Sequence, residues 1–114
     1  MLIKNAFVFG EDKTFTKRDI AFSGSLFSDT DCCSREQPFD ASGLYAIPGL
    51  IDIHFHGCMG YDFCDGTPEA IHQLAKYEAS IGVTSICPAT MTVSEENLMQ
   101  IMQSSQSYKA TETA

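Results

Sequence analysis

The stretch Pro48–Gly57, PGLIDIHFHG, decides how the rest of the chain is interpreted. A proline-glycine pair precedes a β-branched run with polar residues at alternate positions, a pattern typical of a strand. His54 and His56 are two positions apart, so their side chains leave the same face of that strand. Gly57 follows directly and allows the chain to turn sharply. The segment therefore predicts a strand that ends on a pair of histidines.

The residues after this strand alternate between helix and strand. Thr67-Pro68-Glu69 predicts a helix start, with a threonine N-cap, proline at the first helical position and an acid near the positive end of the helix dipole. An apolar face is predicted from steps of four, three and four residues, through Ala70, Leu74, Tyr77 and Ile81. Gly82 ends this helix, and Val83–Cys87 predicts the next strand. Strand–helix units of this kind imply parallel pairing of the strands.

A second helix is expected after Ser94-Glu95-Glu96, with Leu98, Ile101 and Met102 facing inward and with fraying from about Ser104. Between the histidines and the first helix, Gly57–Gly66 predicts a glycine-rich loop in which Asp62 and Asp65 cap the turn or orient the groups that bind a ligand. The chain before Pro48 predicts short strands, at Leu2–Phe9, Asp19–Phe22, Phe39–Ala41 and Leu44–Ile47. A polar loop is expected at residues 29–36.

Composition and charge narrow the class of protein. The chain has 114 residues, of which 44% are hydrophobic, enough for one modest core. Seven basic residues against fifteen acidic ones give a net charge of −8, and the basic residues are scattered, which excludes a nucleic-acid-binding surface. No run approaches the roughly 20 apolar residues that a membrane helix needs, so no membrane association is expected.

The spacing of the five cysteines matches neither a disulfide scaffold nor a structural zinc site. Their number is odd and no Cys-x-x-Cys spacing occurs, which argues against a disulfide scaffold and against a structural zinc site. No signal peptide is recognised at the start, so a cytoplasmic protein is expected. For the adjacent Cys32 and Cys33, an ordinary loop, a vicinal disulfide and a metal site are the alternatives.

The two histidines are candidate metal ligands. Neutral imidazoles at this spacing can converge on one divalent cation, and zinc, iron, manganese and cobalt all suit them. His54 and His56 are expected at the carboxyl end of their strand, where parallel α/β sheets place their sites. A zinc site normally uses three or four ligands, so the pair alone leaves a structural role open.

Pro48–His56 is similar to the opening barrel strand of the amidohydrolase superfamily, whose pattern is Pro-Gly-hydrophobic-Ile-Asp-x-His-x-His. Downstream, Gly57–Asp65 and Gly82–Thr92 resemble the N-acetylglucosamine-6-phosphate deacetylase family. In that family a glycine-rich loop follows the histidines, and a Gly-Val-Thr-Ser strand ends in proline and threonine. Residues 48–92 carry nearly all of this resemblance, and residues 40–47 fit the short β region before the barrel less specifically.

The resemblance implies an α/β fold: the N-terminal part of a (β/α)8 amidohydrolase barrel preceded by a small β-sandwich segment. Residues 1–47 would be the β-sandwich segment, and residues 48–114 the first two βα units of the metal-dependent barrel. A complete barrel needs about 250 residues. The chain is therefore expected to be a fragment that is inactive alone.

The resemblance also implies a function. The parent enzyme would hydrolyse N-acetylglucosamine 6-phosphate to glucosamine 6-phosphate and acetate, with His54 and His56 binding one or two divalent metal ions. Gly57 and Cys58 would contact the amino-sugar phosphate substrate. The catalytic acid, the remaining ligands and the phosphate-binding residues are expected beyond Ala114, and the parent is expected to form a homodimer.

Several alternatives stay open. The function could be that of another amidohydrolase, such as a dihydroorotase-like or cyclic-imide hydrolase, or that of a non-catalytic binding module. Cys58 could instead pack the loop or act as a redox-sensitive thiol. Asp52 could orient a ligand or bond to nearby backbone. His72 is expected to be at the surface or partly buried and not to be a ligand, while Thr90 and Thr92 could line the pocket mouth, cap the second helix or pair locally.

Overall fold

The computed structural model describes residues 1–30 and 37–111, which fall into two units, Met1–Pro48 and Gly49–Ala114. The predicted loop with Cys32 and Cys33 lies largely outside the described residues. The first unit contains the strands β1 (Leu2–Phe9), β2 (Phe15–Ser23), β3 (Leu26–Ser28), β4 (Phe39–Asp40) and β5 (Tyr45–Ala46). The described part of the chain contains no helix long and apolar enough to cross a bilayer.

Strand β1 is the centre of the first unit's sheet. The strand order is β3-β2-β1-β4, with β5 also paired to β1. The pairs β1–β2 and β2–β3 are antiparallel, whereas β4 and β5 run parallel to β1. The predicted bounds of β1 are confirmed. Strand β2 begins at Phe15 and not at Asp19, because Phe15 pairs with Phe9 and continues the ladder through the charged residues.

A bulge at Asn5 interrupts β1. Asn5 has a φ of 64°, and the register with β2 shifts between Ile3 and Ala6. The Asn5 backbone N–H donates to Asp19 Oδ1 at 2.9 Å, and its side-chain amide donates to Asp40 Oδ1 at 3.0 Å. Beyond the bulge, a cluster of small residues is buried, consisting of Ala6, Val8 and Ala41.

The second unit contains β6 (Leu50–Phe55), β7 (Gly57–Cys58), β8 (Tyr61–Asp62), a 3-10 turn at Phe63–Asp65, α1 (Pro68–Ser80), β9 (Val83–Pro88) and α2 (Glu95–Thr111). Strands β6 and β9 pair in parallel, as the alternation of strands and helices predicts. The segment Gly57–Gly66 is more ordered than the predicted loop, because β7 and β8 form a short antiparallel hairpin.

Helix α1 begins and ends as predicted, and Ala70 and Leu74 are buried on its predicted apolar face. Thr67 Oγ1 accepts the Ala70 N–H at 3.2 Å, and Gly82 follows the helix with a φ of 90°. The predicted apolar face is wrong at Ile81, which is 53% exposed because it is the C-cap and leaves the helical conformation. Tyr77 is half-buried. The buried face consists of Ala70, Ile71, Leu74 and Glu78.

Helix α2 is longer than predicted. Ser94 caps it, since Ser94 Oγ accepts the Asn97 N–H at 3.3 Å. Ile101 is buried as predicted, but the prediction that Leu98 and Met102 face inward is wrong, since they are 39% and 45% exposed. Fraying from Ser104 is also wrong, because the helix continues to Thr111 and the Ser104 hydroxyl donates to the Gly66 carbonyl at 2.7 Å. The core of this unit consists of Phe63, Ile71, Leu74 and Ile101.

Candidate metal centre

The histidine pair lies at the carboxyl end of β6. His54 is exposed and His56 is half-buried. Their ring centroids are 5.0 Å apart, and the ring planes are nearly perpendicular at 89°. The structure therefore brings the two predicted ligands side by side, at the end of a strand that pairs in parallel with β9.

A backbone carbonyl fixes the tautomer of His56. His56 Nδ1 lies 2.8 Å from the carbonyl oxygen of Ala89. Because a carbonyl can only accept, Nδ1 carries a proton, and in the neutral imidazole the lone pair is therefore on Nε2. Ala89 is held in turn by its own N–H, which donates to the Phe55 carbonyl at 2.8 Å. A histidine whose second nitrogen donates to a carbonyl is the usual arrangement of a metal ligand.

Asp52 acts on the backbone of the same strand. Its Oδ1 accepts the backbone N–H of His54 at 3.0 Å. The register between β6 and β9 shifts between Asp52 and Phe55, which frees this N–H from regular pairing. This hydrogen bond supports the alternative in which Asp52 binds nearby backbone. The carboxylate thereby orients the backbone that carries His54.

The donor set fits part of a metal site. Two imidazoles bound to one ion at about 2.0–2.1 Å place their ring centres roughly 4.5–5.2 Å apart, which includes the observed separation. Within residues 1–30 and 37–111, no group of three His, Cys, Asp or Glu residues is placed to hold an ion. His54 and His56 therefore supply two ligands, and the other ligands would come from elsewhere.

Gly57 and Cys58 both have packing contacts. A Cβ on Gly57 would collide with the carbonyl oxygen of Tyr61 and approach Asp62 Cα to 3.0 Å, so the hairpin needs glycine at this position. Cys58 is half-buried against the core of Phe63 and its neighbours. Burial, assisted by the charge of Glu78, raises the pKa of the Cys58 thiol, which keeps it neutral at physiological pH. Substrate contact by Gly57 and Cys58 stays a prediction.

The remaining candidates have local roles. The capping prediction for Asp62 and Asp65 is confirmed: Asp62 Oδ1 accepts the Cys64 N–H at 2.7 Å, and Asp65 Oδ2 accepts the Asp62 N–H at 2.9 Å. His72 is exposed as expected, with its Nδ1 at 3.3 Å from the Tyr108 hydroxyl. Thr90 is half-buried and Thr92 is exposed.

Sequence reasoning missed two groups, one beside His56 and one on the buried face of α1. The Ala89 carbonyl acts through the backbone, so no residue type signals it. Glu78 is 5% exposed, and its Oε2 accepts no hydrogen bond from the described part of the chain. Its position four residues after Leu74 places it on the buried face of α1, which is a signal that the sequence does carry.

No protein-family model matches the chain. Among curated proteins, it is 41% identical over 46 residues to N-acetylglucosamine-6-phosphate deacetylase of Vibrio furnissii, covering 40% of this chain and 12% of that protein. It is 23% identical over 117 residues to the enzyme of the same name from Bacillus subtilis, and this match covers 98% of this chain and 30% of that protein. It is also 40% identical over 58 residues to dihydroorotase of Bacillus licheniformis, and this match covers 48% of this chain and 14% of that protein.

Solved structures show the same fold. Over 98% of the chain, the TM-score is 0.87 to N-acetylglucosamine-6-phosphate deacetylase from Pasteurella multocida, at 20% identity and covering 31% of that protein. For the enzyme of the same name from Thermotoga maritima the TM-score is 0.72 over 96% of the chain, at 18% identity and covering 28%. The chain thus spans less than a third of the length of the proteins it matches. These findings show that the chain is homologous to the N-terminal region of N-acetylglucosamine-6-phosphate deacetylases, which are enzymes of the amidohydrolase superfamily.

Proposed function

We propose that this chain is the N-terminal part of a metal-dependent hydrolase that releases acetate from N-acetylglucosamine 6-phosphate. In this proposal residues 1–47 are a β-sandwich segment and residues 48–114 are the first two βα units of a (β/α)8 barrel. The observation that carries the proposal is the hydrogen bond from His56 Nδ1 to the Ala89 carbonyl, with His54 at a centroid distance of 5.0 Å. That arrangement leaves Nε2 of the neutral His56 ring available to a cation beside the His54 ring.

The residues of the chain prepare the site in three ways. The Ala89 carbonyl holds His56 in the tautomer whose Nε2 can bind a cation. Asp52 orients the backbone at His54. Gly57 lets β7 approach the Tyr61 carbonyl, where a Cβ would collide with it. A divalent cation held there (zinc, iron, manganese or cobalt, as one or two ions) supplies Lewis-acid polarisation of the acetamide carbonyl and activation of water.

The reaction that this chemistry supports is amide hydrolysis. Water adds to the acetyl carbonyl, the C–N bond breaks, and the amine leaves with a proton while acetate is formed. The proposal places the proton-transferring acid outside the described residues, so we expect residues 1–114 alone to release no acetate. The amino-sugar phosphate substrate, the homodimer and the cytoplasmic setting remain predictions of the same proposal.

Metal affinity tests the histidine pair directly. Zn²⁺ binding to the full-length gene product is measured by calorimetry for the wild type and for His54→Ala, His56→Ala and His72→Ala. The first two variants should weaken binding at least about tenfold, whereas His72→Ala, which removes an exposed histidine on α1, should leave it unchanged. Equal affinities in all four proteins would exclude the pair as ligands.

The similarity to dihydroorotases supports a second candidate, because 40% identity over 58 residues covers about half of the chain. A substrate panel on the gene product separates the candidates. Release of acetate from N-acetylglucosamine 6-phosphate supports the first, and ring opening of dihydroorotate or another cyclic imide supports the second. Binding without turnover of any of these compounds would favour a non-catalytic module.

A further inference from the structure

The tip of the β7–β8 hairpin combines an uncommon backbone conformation with an exposed apolar side chain. Met59 and Gly60 are the two residues between the paired positions Cys58 and Tyr61. Their φ angles are 54° and 83°, so both lie in the left-handed region. Two-residue hairpins of this type usually carry Asn-Gly, because asparagine and glycine adopt positive φ most readily. Methionine at the first position is therefore conformationally unfavourable.

The base of the hairpin is held firmly. The Phe63 N–H donates to the His56 carbonyl at 2.8 Å, which ties the end of the hairpin to the residue that begins it. Cys58 packs against the core formed with Phe63. The reciprocal hydrogen bonds of Asp62 and Asp65 fix the 3-10 turn that follows β8. The tip is therefore presented by a fixed support.

The Met59 side chain contributes little to that support. It is 72% exposed, whereas the neighbouring Cys58 is turned into the core. Residues held in sparsely populated backbone conformations cluster at active sites and ligand clamps. The chemistry that Met59 offers is a flexible, polarisable apolar surface that adapts to a ligand.

The position of this tip relates it to the candidate metal centre. Met59 follows His56 by three residues, so their Cα atoms are at most about 11 Å apart. The hairpin leaves the carboxyl end of β6, which pairs in parallel with β9. Ligands of parallel α/β sheets bind in the loops at that end of the strands.

We propose that Met59 is a specificity-determining residue that contacts the apolar part of the N-acyl group of the substrate. The inference rests on the proposed function, because it presupposes that an acylated amino sugar binds beside the histidine pair. Met59 lines the rim of the site with its thioether, while Cys58 supports the hairpin from the core side. An apolar rim accepts acetyl or a longer acyl group better than formyl.

The test compares Met59→Asn, Met59→Leu and Met99→Asn in the full-length gene product. Asparagine suits the positive φ and removes the apolar surface, leucine keeps that surface, and Met99 is a similarly exposed methionine on α2. The readouts are kcat/KM and the binding affinity for N-formyl, N-acetyl and N-propionyl glucosamine 6-phosphate, together with Zn²⁺ affinity and melting temperature.

We expect Met59→Asn to lower kcat/KM for the acetyl and propionyl substrates by about threefold to tenfold and to leave the formyl substrate nearly unaffected. Met59→Leu, which keeps an apolar side chain, should lose less than Met59→Asn for the acetyl and propionyl substrates, Met99→Asn should behave like the wild type, and Zn²⁺ affinity should not change. Equal loss for all three acyl groups, or no loss, would overturn the role of Met59 and leave the proposed function intact. A wild-type protein that binds none of the three sugars would overturn both the Met59 role and the substrate assignment, whereas failure of the proposed metal site appears separately in the His54 and His56 variants.

Discussion

Replacing Glu78 by methionine should make the second unit more stable. Glu78 is 5% exposed on the core side of α1, and its Oε2 accepts no hydrogen bond from the described residues. A buried acceptor without a partner costs about 1–3 kcal/mol. Methionine has a similar length and helix propensity, so Glu78→Met should recover most of that cost. The folding equilibrium then shifts by roughly five- to 150-fold, since about 1.4 kcal/mol is a factor of ten.

Urea unfolding at neutral pH, followed by the helical circular dichroism signal, measures this change, because α1 and α2 both lie in residues 49–114. The midpoint should rise with an unchanged slope. Glu96→Met is the matched control: it removes the same charge from an exposed site in the first turn of α2. There the loss of a favourable dipole interaction should lower stability by about 0.3–1 kcal/mol. Destabilisation of Glu78→Met by more than about 1 kcal/mol would mean that the carboxylate has a partner and would refute the reasoning.

Four further predictions concern the surroundings of α1 and the hairpin. Thr67→Ala should lower the free energy of unfolding by about 1 kcal/mol through loss of the N-cap, whereas Thr67→Ser should keep it, as measured in urea. Gly57→Ala should cost about 1–3 kcal/mol, because the new Cβ meets the Tyr61 carbonyl; an unchanged melting temperature would contradict this. Because the pKa of Cys58 is raised above 9.0, Cys58 should be alkylated more slowly than the exposed Cys87 at pH 8, as mass spectrometry can follow. For the same reason stability should be full below about pH 9 and decline as pH rises further, because the unfolded thiol then ionises first.

The elements that local chemistry specifies could be predicted from the sequence. Strand β1, the cap at Thr67 and the stop at Gly82 follow from residue types at fixed positions. The side-by-side placement of His54 and His56 follows from the two-residue period of a strand. In each case the deciding interactions are made by residues close together in the chain.

The features that escaped prediction depend on long-range contacts or on the backbone. The length of α2 depends on Ser104 bonding to Gly66, which is 38 positions away in sequence. The β7–β8 ladder is too short to produce a hydrophobic period. Periodicity counted over apolar residues selected Ile81 and passed over Glu78, because a buried acid does not register as hydrophobic. The tautomer of His56 depends on a carbonyl that any residue at position 89 would provide.

The hydrogen bond between His56 and Ala89 links proton position to strand pairing. In the unfolded chain either nitrogen of His56 can carry the proton, whereas the end of β9 selects one of them in the folded chain. A ligand that needs the Nε2 lone pair therefore binds more tightly to molecules in which the Ala89 carbonyl holds the proton on Nδ1. By linkage, such a ligand shifts the population toward the paired state, and the shift is bounded by the ratio of its affinities for the two states. Ligand binding at His56 is thereby coupled to the formation of this sheet.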